Sequence, residues 1–155
     1  MIELGFLVED KVTGFIGVAD SRATFLYGCN RYHVQPRVNS EGVIPEGQMI
    51  DEPQLHLVPD ADRCMEPSAE PPQLVTLGKE VHDPILGQKG TATGRAVYLN
   101  GCSRIFVEPK RAIVTGEATA WWVDEQQLVV KKKTVHKPKS GSKRPGGPAR
   151  SCSKY

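Results

Sequence analysis

Shifting the chain against itself by 73 residues aligns residues 1–57 with 74–130 without a gap and gives 19 identities in 57 positions. Unrelated segments give roughly one in sixteen from average residue usage. Leu4-Gly5 falls on Leu77-Gly78, Asp10 on Asp83, Gly14 and Gly17 on Gly87 and Gly90, and Arg22-Ala23 on Arg95-Ala96. Gly28-Cys29 falls on Gly101-Cys102, Arg31 on Arg104, and Asp51-Glu52 on Asp124-Glu125. A fold for this chain must therefore be built from two copies of one small unit.

Within each copy the apolar residues recur every second position. Tyr32, Val34 and Pro36 alternate with Arg31, His33 and Gln35, and Ile105 and Val107 repeat the pattern. A period of two marks half-buried strands. Tyr27-Gly28 and Asn100-Gly101 separate two such runs, and Asn-Gly is a strong hairpin signal because both residues tolerate positive φ. The expected strands of the first copy are Phe6–Asp10, Phe15–Phe25, Asn30–Arg37, one ending at Met49–Ile50, and Leu55–Val58. Those of the second are Lys79–Asp83, Gln88–Tyr98, Ser103–Arg111, Trp121–Val123 and Leu128–Lys131. A single helical turn at Asp51-Glu52 and at Asp124-Glu125 precedes the last strand of each copy. Five short strands in so few residues point to an all-β chain of two tandem, SH3-like small β-barrels. Mid-strand Gly17 and Gly90 suit the bends that such barrels need.

The organisation that follows is a first module over 1–58, a Pro- and acid-rich linker over 59–73, a second module over 74–130 and a basic tail over 131–155. Four prolines make the linker extended and poor in regular structure. The tail carries nine Lys or Arg residues and no acid, whereas residues 1–130 hold eleven basic and eighteen acidic residues, net −7. That composition cannot bury a core, so the tail is expected to be irregular. Lys131, Lys132, Lys133, Lys137, Lys139, Lys143, Arg144 and Arg150 are its candidate contacts. They suit either nucleic-acid phosphate, bound without sequence preference, or an acidic protein surface, including that of another copy. A solvated extension is the plain alternative.

The residues kept in both copies read as structural. Asp10 and Asp83 cap turns, Arg22 and Arg95 pair with carboxylates across strands, and Asp51 and Asp124 are expected to N-cap the helical turns. Cys29, Cys64, Cys102 and Cys152 form no Cys-x-x-Cys pair and read as buried or idle thiols, not a disulfide framework or a zinc site. His33 and His56 face Phe106 and Val129 in the alignment, so any chemistry built on them belongs to one half alone. The run Gly87-Gln88-Lys89-Gly90-Thr91 lacks phosphate-loop spacing, and its partner Gly14-Phe15-Ile16-Gly17-Val18 resembles no such loop. No catalytic residue, cofactor or metal is expected. Trp121 and Trp122 replace Gln48 and Met49. By alternation one points into the core and the other outward, where it should meet the other module, the tail or a partner.

The pattern Leu-Gly-x-x-Val-x-Asp-x-x-x-Gly-x-x-Gly, followed by Leu-x-Gly-Cys and the Asp-Glu-x-x-Leu ending, resembles a family of small proteins encoded by tailed bacteriophages and prophages. The likeness covers both modules and not the tail. The first copy, with Lys11-Val12-Thr13-Gly14-Phe15, matches better than the second, which has Pro84-Ile85-Leu86 in place of Lys-Val-Thr. The family has no assigned activity, so the resemblance implies a phage context and no chemistry. The expectation is a non-enzymatic virion accessory protein, such as a capsid decoration, cement or connector-type protein, whose partners are other phage structural proteins or itself. A nucleic-acid-binding accessory protein acting through the tail, and an inhibitor of a host defence component, are the alternatives. No stretch approaches a membrane span, and Met1-Ile2-Glu3-Leu4 lacks a signal-peptide layout, so the expected location is the virion or the host cytoplasm.

Overall fold

The computed structural model describes residues 1–109 and 119–131. Among them the chain is all-β, as the period-two pattern requires. The first copy forms β1 (Leu7–Asp10), β2 (Ile16–Phe25), β3 (Arg31–Gln35), β4 (Gln48–Asp51) and β5 (Leu55–Leu57). The second forms β6 (Glu80–Asp83), β7 (Gln88–Tyr98), β8 (Ser103–Pro109), β9 (Trp121–Asp124) and β10 (Val129–Val130). A 3-10 turn stands before the last strand of each, Glu52–Gln54 and Glu125–Gln127. No helix of the described residues is long and apolar enough to cross a membrane.

The first half runs β5-β1-β2-β3-β4 and the second β10-β6-β7-β8-β9, all antiparallel. The halves then join edge to edge through β2 and β7 into one ten-stranded sheet. Closed barrels were the expectation, but among the described residues no ladder joins β4 to β5 or β9 to β10. The last strands are short, three and two residues. The free edge of β2, beyond its pairing with β1, is spent on β7 instead.

Each half retains its own core. Val8, Ala19, Tyr32, Val34, Ile50 and Leu55 are buried together in the first. Val81, Ala92, Ile105, Val107 and Val123 occupy the matching positions of the second, with Leu128 packed against them. Val75 is also buried there. Both long strands carry a bulge at matching places, between Ala19 and Ser21 and between Ala92 and Gly94. The bulge lets one strand serve β1 or β6 at its start and the other half at its end. Gly17 and Gly90 are needed for a different reason from turn geometry. A Cβ on Gly17 would lie 2.6 Å from the Gln35 carbonyl oxygen, and one on Gly90 2.4 Å from that of Glu108. The backbones of crossing strands touch there.

The linker has no strand or helix between Leu57 and Glu80, as its prolines imply, but it is not a loose spacer. The Cys64 N–H donates to the Gly5 carbonyl at 2.8 Å, the Ser68 N–H to that of Leu99 at 2.9 Å, and the Arg63 guanidinium lies 4.5 Å from the Phe6 ring centroid. It is strapped across both halves.

Gly90→Ala should lower stability by about 1–3 kcal/mol, the usual cost of overpacking a close contact. A lower urea midpoint with an unchanged slope would show it; an unchanged midpoint would mean that β7 and β8 do not approach as described.

Candidate functional site

The β2–β7 seam has a property that no single strand pairing requires. Its partners are Ser21↔Tyr98, Arg22↔Val97, Ala23↔Ala96, Thr24↔Arg95 and Phe25↔Gly94. Ala23 and Ala96 are repeat equivalents, so the duplicated halves meet about a local two-fold axis between these two alanines. Flanking contacts obey the same symmetry. The Leu26 N–H donates to the Thr93 carbonyl at 2.7 Å, and its equivalent Leu99 donates to the Asp20 carbonyl at 2.8 Å. Leu99 also packs against the core of the first half.

Alternation sends Ser21, Ala23 and Phe25 to one face of the seam, together with Ala96 and Tyr98. That face is the floor of a groove of about 350 Å³, walled by Arg31, Met49, Phe106 and Trp122. Ala23 and Ala96 are almost fully buried beneath it. Phe106 and Trp122 face each other across β8 and β9, with ring centroids 5.0 Å apart. Trp122 also meets Phe25 of the other half edge-on, at 6.5 Å. Gly94 makes this possible, because a Cβ there would stand 2.9 Å from the Phe25 ring. Arg31 lies over Phe25 at 5.9 Å and its equivalent Arg104 over Tyr98 at 5.8 Å. Each is fixed by the aspartate opposite: Arg31 Nε donates to Asp51 at 2.7 Å and Arg104 Nε to Asp124 at 2.9 Å.

The two tryptophans divide as alternation demands. Trp121 packs against the second core, while Trp122 keeps 40 % of its surface exposed and Met49 50 %. Among the tail candidates Lys131 is described: its Nζ donates to Glu80 Oε1 at 2.6 Å beside β10. Lys132, Lys133, Lys137, Lys139, Lys143, Arg144 and Arg150 lie outside the described residues.

The opposite face of the seam is polar and held shut. Glu70 of the linker bridges Arg22 at 3.3 Å and Arg95 at 3.2 Å. Arg95 Nε also donates to Glu125 at 2.9 Å. Glu125 is only 1 % exposed and accepts the Leu74 and Val75 N–H groups at 2.9 and 2.8 Å. Burial pushes its carboxyl up, but the Val75 N–H, Arg95 and Ser103 outweigh that and hold it below the usual range. Its equivalent Glu52 is likewise lowered, first by Asn30, against burial, and further by the N-terminal amine and Tyr32. The alignment singled out both Asp-Glu pairs but not the burial of the second glutamate.

Several shared polar residues do what turns require, and two expectations fail. Asp10 accepts from the Val12 N–H at 3.0 Å and the Thr13 hydroxyl at 2.6 Å, which lower its carboxyl. Asp83 accepts from the Ile85 and Leu86 N–H groups and from Gln127. Burial raises Asp83, and these donors reverse the sign. Trp121 Nε1 and Asp83 Oδ2 are buried without a geometrically complete hydrogen bond, although the indole still helps to lower the carboxyl. Asp51 and Asp124 do stand at the N-cap positions but make no side-chain cap, because their carboxylates are drawn to the cross-strand arginines. Cys29 and Cys102 are exposed, not buried, since each follows a positive-φ glycine at a hairpin tip. Cys64 is exposed as well, and Cys152 lies outside the described residues.

His33 and His56 are not brought together. His33 Nδ1 sits 2.9 Å from Asp20, and His56 Nε2 3.4 Å from Glu9. Among the described residues no group of three His, Cys, Asp or Glu side chains is placed to hold a metal ion. No family model, curated protein or solved structure matches the chain.

The lowered carboxyls of Asp10, Glu52, Asp83 and Glu125 set a pH dependence. Unfolding returns them to ordinary values near 3.9–4.3, so below about pH 5 the unfolded chain binds more protons than the folded one. Their contribution is full above that range and is lost as pH falls through the lower folded values. Denaturant midpoints should be flat from about pH 5 to 7 and drop towards pH 3. Glu125→Ala, which removes the buried acceptor of Arg95 Nε and of two backbone N–H groups, should cost about 3–5 kcal/mol. The more exposed Glu52→Ala should cost about 1 kcal/mol. Equal losses would mean that Glu125 is not the buried anchor.

Proposed function

We propose that this chain is a non-enzymatic phage structural and interaction protein, most concretely a virion accessory protein of the capsid-decoration, cement or connector type. It docks through two SH3-like barrels and a basic arm. The strand order β5-β1-β2-β3-β4, with a 3-10 turn between β4 and β5, supports the SH3-like reading of each half. The phage context rests on the shared motif.

The observation that carries a docking role is where the two copies differ. The positions that hold the fold, such as Asp10 and Asp83 or Ala23 and Ala96, are the same in both. Met49 against Trp122, His33 against Phe106 and Phe25 against Tyr98 are not, and five of these six residues line the apolar groove over the seam. Exposed positions are free to diverge in any duplicated fold; what supports docking is that the divergence has put Trp122 and Phe106 on this exposed face where the first copy has Met49 and His33. Aromatic side chains there offer about 150–250 Å² each to a partner, and a partly exposed Trp beside Arg and Tyr has the composition of an interface hot spot.

The basic tail favours a second reading, a nucleic-acid-binding accessory protein. Net charge −7 over residues 1–130 argues against the folded part as the DNA surface. Under this reading the tail alone carries affinity, and binding falls steeply with salt.

Mass spectrometry of purified particles of a phage carrying the gene should recover the chain at a fixed ratio to the capsid protein. Trp122→Ala should lower that occupancy about tenfold or more, the weight of one hot-spot residue. Absence from particles would remove the virion reading. DNA binding that is salt-sensitive and lost when the eight tail candidates are neutralised would put the nucleic-acid reading in its place.

A further inference from the structure

We propose that the resident occupant of the Trp122 groove is the chain's own tail, through the segment Lys143-Arg144-Pro145-Gly146-Gly147-Pro148. This rests on the groove being the docking surface and gives that surface an internal competitor.

Pro145 and Pro148 are three residues apart, one turn of a polyproline II helix and about 9 Å along it. Proline rings presented at that interval stack on aromatic ridges, and the ordering entropy they forfeit is small because φ is already fixed. Trp122, Phe106, Phe25 and Tyr98 supply such ridges around an alanine floor.

The tail is the basic part of a chain whose remainder is acidic. Asp51 and Asp124 stand beside the groove on β4 and β9, with side chains 37 % and 65 % exposed. Among the described residues each has one arginine Nε on one oxygen, and a carboxylate has about four acceptor sites. Lys143 and Arg144, next to the first proline, reach acceptors that Arg31 and Arg104 leave unfilled.

Lys131 lies at the β6 edge, its N–H bonded to the Glu80 carbonyl. From β6 to β2 is two strand spacings, and from β10 three, or about 15 Å. Fourteen residues separate Lys131 from Pro145, about 43 Å at polyproline rise. The arm is therefore long enough with slack to spare. A tether of that length gives an effective concentration of order 1 mM. A segment with an intrinsic Kd of about 100 µM would then be docked roughly nine-tenths of the time within its own chain, whereas a second copy at micromolar concentration would contribute little.

The test uses the full chain and reads the indole N–H signals of Trp121 and Trp122 in ¹⁵N-correlated NMR. The double variant P145A/P148A alters only the tail. Its Trp122 signal should move from the wild-type position while that of Trp121 stays. A synthetic peptide of residues 140–150, added to this variant, should return the Trp122 signal with a Kd between about 10 and 500 µM. K143E/R144E should weaken docking several-fold, with less effect in high salt. A Trp122 signal identical in wild type and variant, and unmoved by peptide at 2 mM, overturns the proposal. So does a wild-type signal that depends on protein concentration with a matching rise in mass by light scattering, which would make the occupant a second copy. A Trp122 signal that responds to a thymidine oligonucleotide and not to the peptide overturns it in favour of nucleic acid. None of these readouts depends on particles, so failure of the virion reading and failure of tail docking are separable.

Discussion

Five residues of β2 pair with five of β7 about an axis through Ala23 and Ala96, and the rest of the molecule is organised by that seam. A module of some 57 residues is near the lower limit of self-sufficiency, because a chain that short leaves much of its apolar surface in water. Its free β2 end is also an unpaired edge, the template on which sheets aggregate. Joining two copies through those edges satisfies both strands at once. Small residues at the axis are then a requirement of the geometry. Ala23 and Ala96 lie directly opposite each other and are almost fully buried. Side chains there must also leave space for Phe25 and Tyr98 further along. Gly94 shows the same pressure at the next position out.

Symmetry about the seam explains which residues the halves share and which they were free to change. Glycines that admit a crossing backbone, aspartates that close the β1–β2 and β6–β7 turns, and alanines on the axis are fixed by local geometry in both halves. The polar face is different, for there the halves solve one problem in two ways. Glu125 is neutralised by Arg95 inside the second half. Glu52 turns to Asn30, Tyr32 and the chain's own N-terminus. That leaves Arg22 to share Glu70 of the linker with Arg95. One linker carboxylate thus ties the two arginines across the axis, an arrangement available only because the copies are covalently joined.

Strands, turns and cores were legible in the sequence because they follow from local rules: alternation, Asn-Gly and a repeat that doubled every signal. Gly17 and Gly90 were legible as special, but not as the close backbone approaches they are. Pairing of the halves was not legible, since Ala23 and Ala96 look like any small strand residues until their registers are known. Asp51 and Asp124 were misjudged because a carboxylate before a helical turn has two suitors, the turn's N–H groups and a cross-strand arginine. Only the register shows that Arg31 and Arg104 stand directly opposite. Cys29 and Cys102 were misjudged for a related reason. Following a hairpin glycine places a residue at the tip, where side chains face solvent whatever their polarity. Of the candidate site, one outward tryptophan of the Trp121-Trp122 pair was legible, but that it is Trp122, and that it meets Phe25 of the other half, follows only from the structure. Its companions Phe25, Tyr98 and Met49 were not, because they belong to strands that only the seam brings together.

The seam also determines what a groove on this chain can recognise. A strictly two-fold surface favours a two-fold partner, because each contact is then made twice. Here the frame is two-fold but the walls are not. Arg31 over Phe25 and Arg104 over Tyr98 preserve the symmetry, whereas Trp122 and Phe106 wall one side and Met49 the other. An asymmetric wall on a symmetric frame suits a ligand with a direction, such as an extended peptide, better than a symmetric partner. Duplication with divergence is the means by which a chain obtains such a surface, since a homodimer of identical modules would carry the same residue at both positions.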